Sequence, residues 1–542
     1  MPEFPCMNCS EVIVSYLKGA GIDHIFGYPG DPSVEFLEAA RKEQMKFVLA
    51  TREGTAGLMA EAYGQLTGRP GVCLSTLGPG SSNLVNAVAN AFLDRVPMIA
   101  LSGQIETKRE KLFTHQVLDH NLLFSPISKW TASIAPHTVG GIMRRALRIA
   151  VSERPGPVHI STPADVVGAQ ATDSEILIPP LDEHAAAISV ITQIGRTDPF
   201  KKIASAKRPV IVTGISAQRA DAGKAIASLS EKLRCPIIVS PMAKGVVTET
   251  AESFAGVLDM ACNEVVWEFL RKADLILSIG FDPVELIKPW NVPAPVIHID
   301  STPNTDQIYF SPIEIVGPVR QSVQAIVEQI AESESIWRTS EISEHRKHLR
   351  DRYLEGRVAG KLNPTDVVES VMAASSDNAI ATSDVGSHKL LVGQGWVARH
   401  PRSVLMTNGL SSMGYSLPAA ITAKLVHRDR EVVCFTGDGG LAMVQGELRL
   451  AATLKLGITV IVFCDNSLNR IELKQMAKQY PSFGTLIEST DVASLAGSMG
   501  CRGVNVSSQW ELEKMLALRS PTDDVPLVIG AKIDPAQYLA QF

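Results

Sequence analysis

Val432-Val433-Cys434-Phe435-Thr436-Gly437-Asp438-Gly439-Gly440 is an apolar run that ends in an acidic, glycine-rich turn. A second apolar run, Thr459-Val460-Ile461-Val462-Phe463-Cys464, ends in Asp465-Asn466. The segment between them, residues 445–456, has a helix-like pattern. Together they predict a strand–helix–strand unit of about the ~30 residues that a parallel crossover needs. Both Asp residues then stand at the carboxyl ends of neighbouring parallel strands, where open α/β sheets bind ligands. The glycines let backbone N–H groups come close to a phosphate at the mouth of the following helix. Two carboxylates beside a phosphate cradle suit a hard divalent cation such as Mg2+. The simplest reading is a diphosphate held through a metal.

The rest of the chain extends this plan. Before Gly437, strands are predicted over residues 45–50, 72–76, 97–102 and 157–161, with helices over 54–66 and 84–92. Gly78-Pro79-Gly80-Ser81-Ser82-Asn83 is the turn into the second helix. Short apolar strands alternating with helices argue a doubly wound parallel sheet. Residues 164–187, mixing Pro, Asp, Ala and Ser, read as a linker. A second α/β unit begins at Pro209-Val210-Ile211-Val212-Thr213-Gly214 and runs through strands near 236–240, 273–280 and 295–300. The charged stretch 333–361 reads as a solvated helix and connection. A third unit starts near Asn363-Pro364-Thr365 and carries the Gly437 turn. The first and third units share one plan, strand then glycine-rich turn then helix, which hints at duplication.

With 542 residues, about three domains are expected. Hydrophobic content of 45% and charged content of 20% describe a soluble globular chain. A net charge of −6 gives no electrostatic case for nucleic acid or an acidic membrane. No run reaches the ~18 apolar residues of a membrane span. Met1-Pro2-Glu3-Phe4 lacks the basic and apolar regions of a signal peptide, so a cytoplasmic protein is the expectation. Cys73, Cys434 and Cys464 fall in strand-like runs and read as buried thiols. Cys6 and Cys9 form a C-x-x-C pair with no second pair to complete a four-ligand site, so they read as structural.

The Asp438-to-Asp465 spacing resembles the signature of thiamine-diphosphate enzymes, and the likeness covers nearly the whole chain. Within them the chain is most similar to the acetohydroxyacid and acetolactate synthases. The segments that carry this are Phe26-Gly27-Tyr28-Pro29-Gly30, Arg52-Glu53-Gly54-Thr55-Ala56, Thr114-His115-Gln116-Val117-Leu118-Asp119, Ser383-Asp384-Val385-Gly386 and Met413-Gly414-Tyr415-Ser416-Leu417-Pro418. Ile279-Gly280-Phe281-Asp282-Pro283-Val284-Glu285 and His298-Ile299-Asp300 resemble the catabolic acetolactate synthases. The resemblance implies three doubly wound α/β domains: pyrimidine-binding over 1–180, central over 190–335 and diphosphate-binding over 355–542.

It also implies roles. Asp438 and Asp465 would ligate the metal through side chains and Ser467 through its carbonyl, with Asn466 the competing side chain. Glu53 would hydrogen-bond the aminopyrimidine ring and favour the tautomer that deprotonates the thiazolium carbon. The cofactor then acts as an ylid and electron sink. An isolated Glu at a helix start is ordinarily a solvated end that the helix dipole favours; with the Gly437 turn present, the catalytic reading prevails. Arg52-Glu53-Gly54 replaces the common His-Glu-Gln, which leaves the proton chemistry intact.

Met413, after Ser411-Ser412, would hold the cofactor bent, against the bland alternative of a core methionine. Pro79 and Asn83 would face the pyrimidine. Gly386, Ser387 and His388 would form a second diphosphate loop beside Gly437, Gly439 and Gly440. Gln116 matches a residue lining the synthase pocket, and His115 could move protons near neutral pH.

Substrate choice should lie after Asp465. Arg470 and Lys474 take positions where the anabolic synthases carry Met and Trp. Arg470 could pair a substrate carboxylate through its fork, or point to solvent with Lys474 on the same helix face. The Asn-x-Ile-Glu-Leu-x-Gln run here also resembles carboxyethylarginine synthase. Gly214-Ile215-Ser216-Ala217 is not a glycine-rich dinucleotide turn, and no flavin is expected.

The function implied is a carboligase acting on a 2-oxo acid such as pyruvate, with an aldehyde or second oxo acid as acceptor. The alternatives are a decarboxylase or benzaldehyde-lyase-like carboligase on the same scaffold, and, in another class, a non-catalytic cofactor-binding protein. In such enzymes the site lies between the first domain of one subunit and the third of another, so a homodimer or homotetramer is expected.

Overall fold

The computed structural model describes residues 7–172, 192–194 (as backbone), 198–330, 332–520 and 523–542. They divide into two compact units. One holds the described residues up to 172 together with Gly409–His427; the other holds the remainder.

The first unit is built on a six-stranded parallel sheet. Its strands are β1 (His24–Gly27), β2 (Lys46–Leu49), β3 (Gly71–Ser75), β4 (Met98–Gln104), β5 (Trp130–Ser133) and β6 (Pro157–Pro163), in the order β2-β1-β3-β4-β6-β5. β3, β4 and β6 are buried along their whole length, as parallel strands covered on both faces must be. β1 is buried as well but only four residues long, and β2 and β5 are half-exposed.

The second unit contains two sheets. One is seven-stranded: β7 (Thr192–Ile194), β8 (Pro209–Thr213), β9 (Ile237–Val239), β10 (Phe254–Val257), β11 (Leu275–Ile279), β12 (Val296–Asp300) and β13 (Ile313–Val316). The order is β10-β9-β8-β11-β12-β13-β7, with β7 antiparallel at the edge. The other is six-stranded and parallel: β14 (Ile380–Ser383), β15 (Val404–Met406), β16 (Val432–Gly437), β17 (Thr459–Cys464), β18 (Arg502–Val506) and β19 (Leu527–Lys532), in the order β15-β14-β16-β17-β19-β18. The first and third sheets therefore share one strand order, counted from each sheet's own first strand. The expected doubly wound α/β architecture is present, and the shared plan seen in the sequence extends to the whole topology.

Local differences have physical reasons. Of the predicted helix 445–456 the structure forms Glu447–Thr453, and an unpredicted helix, Asp438–Val444, precedes it and begins directly at Asp438 with no intervening loop. Part of the expected linker, Ala164–Val167, is a short helix with Val166 and Val167 buried; its residues 173–187 lie outside the described set. The charged stretch forms the helix Thr339–Leu354, which is not wholly solvated. Ile342, His345, Leu349 and Tyr353, spaced along one face, are buried, and His345 stacks on Phe269 at 3.9 Å. Cys73 and Cys434 are buried and Cys464 half-buried. Cys9 is buried, and Cys6 lies outside the described residues. Among the described residues no helix is long and apolar enough to cross a membrane.

Candidate active site

In the third sheet the strand order reverses between β14 and β16, the kind of point at whose carboxyl ends open α/β sheets bind ligands. Three loops meet there. The first follows β14. Asp384 is fully buried; its Oδ1 accepts from the Val385 N–H at 2.7 Å and its Oδ2 from Thr436 Oγ1 at 3.0 Å, which ties the end of β14 to the end of β16. Gly440 packs against this carboxylate so closely that a Cβ there would lie 2.6 Å from Asp384 Oδ2. Gly386 has φ +156° and faces the His388 ring, which a Cβ would approach to 2.7 Å. A side chain at either position would collide with these buried groups.

The second loop is Gly437-Asp438-Gly439-Gly440, and the third is Asp465-Asn466-Ser467. Asp438 Oδ1 accepts from the Gly439 N–H and Oδ2 from the Asn466 N–H, both at 2.8 Å. Asp465 Oδ1 accepts from the Ser467 N–H at 3.3 Å. Burial raises the Asp438 carboxyl above its ordinary range. Burial, and then the Asp438 charge, push Asp465 up to about 7. Two half-buried carboxylates repelling each other are what a divalent cation relieves. Asn466, the competing ligand, is exposed and has φ +57°, and it serves Asp438 through its backbone.

The other residues singled out on these loops occupy the same end of the sheet. Ser387 Oγ donates to Asn469 Oδ1 at 2.6 Å, linking the first loop to the third. His388 is buried and stacks on Phe463 at 5.2 Å. Burial, then the Lys389 charge, depress it to about 3, so it is a neutral imidazole, and its Nε2 has no hydrogen-bond partner. Arg470 is half-buried at the start of the helix Asn469–Ala477, while Lys474 is exposed. Asn469 was missed by sequence reading, because a lone Asn after a strand carries no distinguishing signal.

In the first unit, Glu53 opens the helix Glu53–Thr67 after β2 and is buried. Asn83 Nδ2 donates to Glu53 Oε2 at 3.2 Å. Gly80 leaves the other oxygen uncovered: a Cβ there would lie 2.9 Å from Oε1. Asn83 lies on the helix Pro79–Leu93, and the same helix anchors the segment bearing Ser411 and Met413. Asn86 Nδ2 donates to Ser412 Oγ at 2.7 Å, Asn90 Oδ1 accepts from the Ser412 N–H at 3.3 Å, and Asp94 Oδ1 accepts from the Gly409 N–H at 2.6 Å. Residues 83, 86, 90 and 94 form a polar stripe at helical spacing. That stripe was readable in the sequence, though it points as readily to a solvated face. Beneath it, Asn90 Nδ2 donates to both oxygens of fully buried Glu61, at 2.9 and 2.8 Å. Burial and the Asp94 charge raise the Glu61 carboxyl well above its ordinary range. Pro79 is exposed at the helix start, and Met413 is half-buried.

Gln116, with φ +58°, packs its backbone against Gly78, whose absent Cβ would lie 2.6 Å from the Gln116 carbonyl. Gln116 and His115 are both exposed. The ordered histidines of this region are others. The Gly78 N–H donates to His120 Nε2 at 3.3 Å. A backbone N–H can only donate, so Nε2 accepts and Nδ1 carries the proton. It therefore donates to Ser102 Oγ at 3.1 Å, and Ser102 donates to His159 Nε2 at 2.7 Å. Burial holds His120 near about 4 and His159 near about 3, so both stay neutral. This relay, which spacing could not show, fixes the Gly78 turn beside Glu53.

Family models agree with this geometry. The N-terminal thiamine-pyrophosphate-binding domain matches residues 7–123, the central domain of the same enzymes 198–326, and the C-terminal thiamine-pyrophosphate-binding domain 384–531. The chain belongs to the thiamine pyrophosphate enzymes. Among this family's members, an acetolactate synthase from Bacillus subtilis is 28% identical over 541 residues, covering 97% of this chain and 93% of its own length. A probable acetolactate synthase large subunit from Methanococcus aeolicus is 30% identical over 574 residues, covering 98% and 93%. A probable 2-ketoarginine decarboxylase from Pseudomonas aeruginosa is 27% identical over 530 residues, covering 94% and 91%. This thiamine pyrophosphate enzyme is thus of the acetolactate synthase type.

Proposed function

We propose that the protein is a thiamine-diphosphate- and Mg2+-dependent carboligase. It decarboxylates a 2-oxo acid such as pyruvate and transfers the acyl-anion equivalent to an aldehyde or a second oxo acid. The observation that carries the metal and diphosphate reading is the interacting Asp438–Asp465 carboxylate pair beside the glycine-rich start of the helix Asp438–Val444. Among the described residues no group of three or more His, Cys, Asp or Glu side chains forms a closed metal site. That suits Mg2+, which uses one or two carboxylates and completes its shell with phosphate oxygens and water. In this reading Asp438, Asp465 and the Ser467 carbonyl hold the ion, while Gly386, Ser387, Gly437, Gly439 and Gly440 face the diphosphate.

When bound, thiamine diphosphate supplies the carbanion chemistry. Glu53 takes and returns the proton at Oε1, the oxygen that Asn83 leaves unbonded and Gly80 leaves uncovered. Arg470 offers its N–H edge to the substrate carboxylate. A flavin-free central domain is supported by Glu285. Its buried carboxylate accepts from the Ile215 N–H at 3.1 and 3.0 Å and from the Asp282 N–H at 2.9 Å, at the carboxyl ends of β8 and β11. It therefore fills the place where an open sheet would hold a phosphate. A flavin absorption band in purified protein would overturn this part. A homodimer or homotetramer belongs to the same reading, and a monomeric active species in sedimentation would contradict it. The domain bounds 1–180, 190–335 and 355–542 are proposed with it.

Incubation with pyruvate, thiamine diphosphate and Mg2+ tests the reaction. Acetolactate supports the carboligase. Acetaldehyde alone supports a simple decarboxylase, which the likeness to a 2-ketoarginine decarboxylase keeps in view.

A further inference from the structure

Arg470 has an aromatic neighbour from a distant part of the sequence. Its guanidinium carbon lies 4.6 Å from the centroid of the Phe542 ring. The short helix Tyr538–Gln541 that leads to Phe542 has little stability of its own. It is held by buried amides instead. Gln541 Nε2 donates to the carbonyls of Arg352, Tyr353 and Glu355 at 3.2, 3.0 and 3.1 Å, and its Oε1 accepts from Cys262 Sγ at 3.1 Å. Gln537 Oε1 accepts from the Thr365 N–H at 3.1 Å, and its Nε2 donates to Thr365 Oγ1 at 2.8 Å. Tyr538 is buried, and its ring stacks on Phe542 at 5.8 Å with 19° between the planes. Phe542 is thus fixed in place although the residue is 43% exposed.

Arg470 is half-buried, and among the described residues it has no carboxylate within ion-pair distance. A guanidinium can stack on an aromatic face while its five in-plane N–H donors remain available. A half-buried cation with one face covered and no carboxylate partner is arranged for an anion that arrives later.

We propose that Phe542 is a positioning residue for substrate selection: by stacking on Arg470 it sets the plane of the guanidinium that receives the carboxylate of the oxo acid. This rests on the reading of Arg470 as the carboxylate seat. Phe542 does not touch substrate; it acts through Arg470.

The test uses holoenzyme loaded with thiamine diphosphate and Mg2+, with pyruvate as the probe, measured by equilibrium titration and by steady-state kinetics. Phe542→Leu should raise the pyruvate Kd and KM by roughly three- to tenfold, the range of a partly exposed cation–aromatic contact. kcat should stay within about twofold of wild type. Phe542→Trp and Phe542→Tyr, which keep an aromatic face, should restore the wild-type values. Arg470→Ala should weaken pyruvate more, and adding Phe542→Leu to it should cost nothing further. That non-additivity reports the contact itself, even if the leucine substitution loosens the helix.

If Arg470→Ala weakens pyruvate but Phe542→Leu does not, or the two effects add, the positioning role is wrong and the carboxylate seat stands. If Arg470→Ala leaves pyruvate binding unchanged, or the wild type fails to bind pyruvate, the seat is wrong and the inference falls with it.

Discussion

The first sheet, ordered β2-β1-β3-β4-β6-β5, and the third, ordered β15-β14-β16-β17-β19-β18, repeat one winding but set different chemistry at equivalent strand ends. After the third strand of each comes a glycine turn that starts a helix at once: Gly78-Pro79-Gly80 after β3 and Gly437-Asp438-Gly439-Gly440 after β16. In the first sheet the helix opens on Pro79 and its turn is braced from behind by neutral His120. In the third it opens on Asp438, and the next strand adds Asp465. The first sheet has Glu53 after β2, bonded to Asn83. Winding decides which loops share an end of the sheet. The side chain at each strand end decides whether that end suits a proton carrier or a hard cation.

Breaking the end proposed to carry the proton should have the largest effect. Glu53→Gln is expected to lower kcat by about 10²–10⁴-fold, the range of a lost acid–base group, with Mg2+ affinity unchanged in a metal titration. A comparable loss of Mg2+ affinity would erase the distinction between the two ends. Asp465→Asn should do the reverse: apparent Mg2+ affinity weakens by roughly 10–100-fold, and excess Mg2+ recovers much of the rate.

The acidic pair also sets a pH dependence. Asp465 is raised to about 7 in the folded chain, while an unfolded Asp titrates near about 4. The folded state therefore binds more protons across that window, and the metal-free protein should lose stability as pH rises through it. Mg2+ should raise the melting temperature more at pH 7.5 than at pH 5, because binding displaces the proton. An equal shift at both pH values would contradict the carboxylate pair as the metal site.

His120→Ala sharpens the comparison from the other side. It strands the buried Gly78 N–H and removes one of the two partners of Ser102 Oγ, at a cost of about 1–3 kcal/mol in denaturant unfolding. Its kcat loss should be smaller than that of Glu53→Gln. Lys474→Ala, exposed and outside both ends, should change stability by no more than about 0.5 kcal/mol.

Much of this was legible in the sequence because parallel strands buried on both faces spell unbroken apolar runs. β3, β4, β8, β11, β16 and β17 were found that way. β1, β7, β10, β14 and β15 are only three or four residues long, β5, β13 and β18 are partly exposed, and in β19 Gly530 interrupts the apolar run, so none was picked out by pattern. At the site, acidic and glycine residues at strand ends announced themselves. The supporting contacts did not: His120 with Ser102 and His159, Asn469 with Ser387, and Phe542 with Arg470 join residues whose proximity only the fold creates. Nor did the sequence show that Arg470 is half-buried and Lys474 exposed.

In the proposed function, Glu53 moves a proton for a cofactor whose metal is held by Asp438 and Asp465. The most direct test is the rate of hydrogen–deuterium exchange at the thiazolium C2 of bound thiamine diphosphate, followed by rapid acid quench and NMR. Glu53→Gln should slow this exchange by at least about 10²-fold while the cofactor stays bound. Exchange in Glu53→Gln as fast as in the wild type, with the cofactor bound equally well, would contradict it.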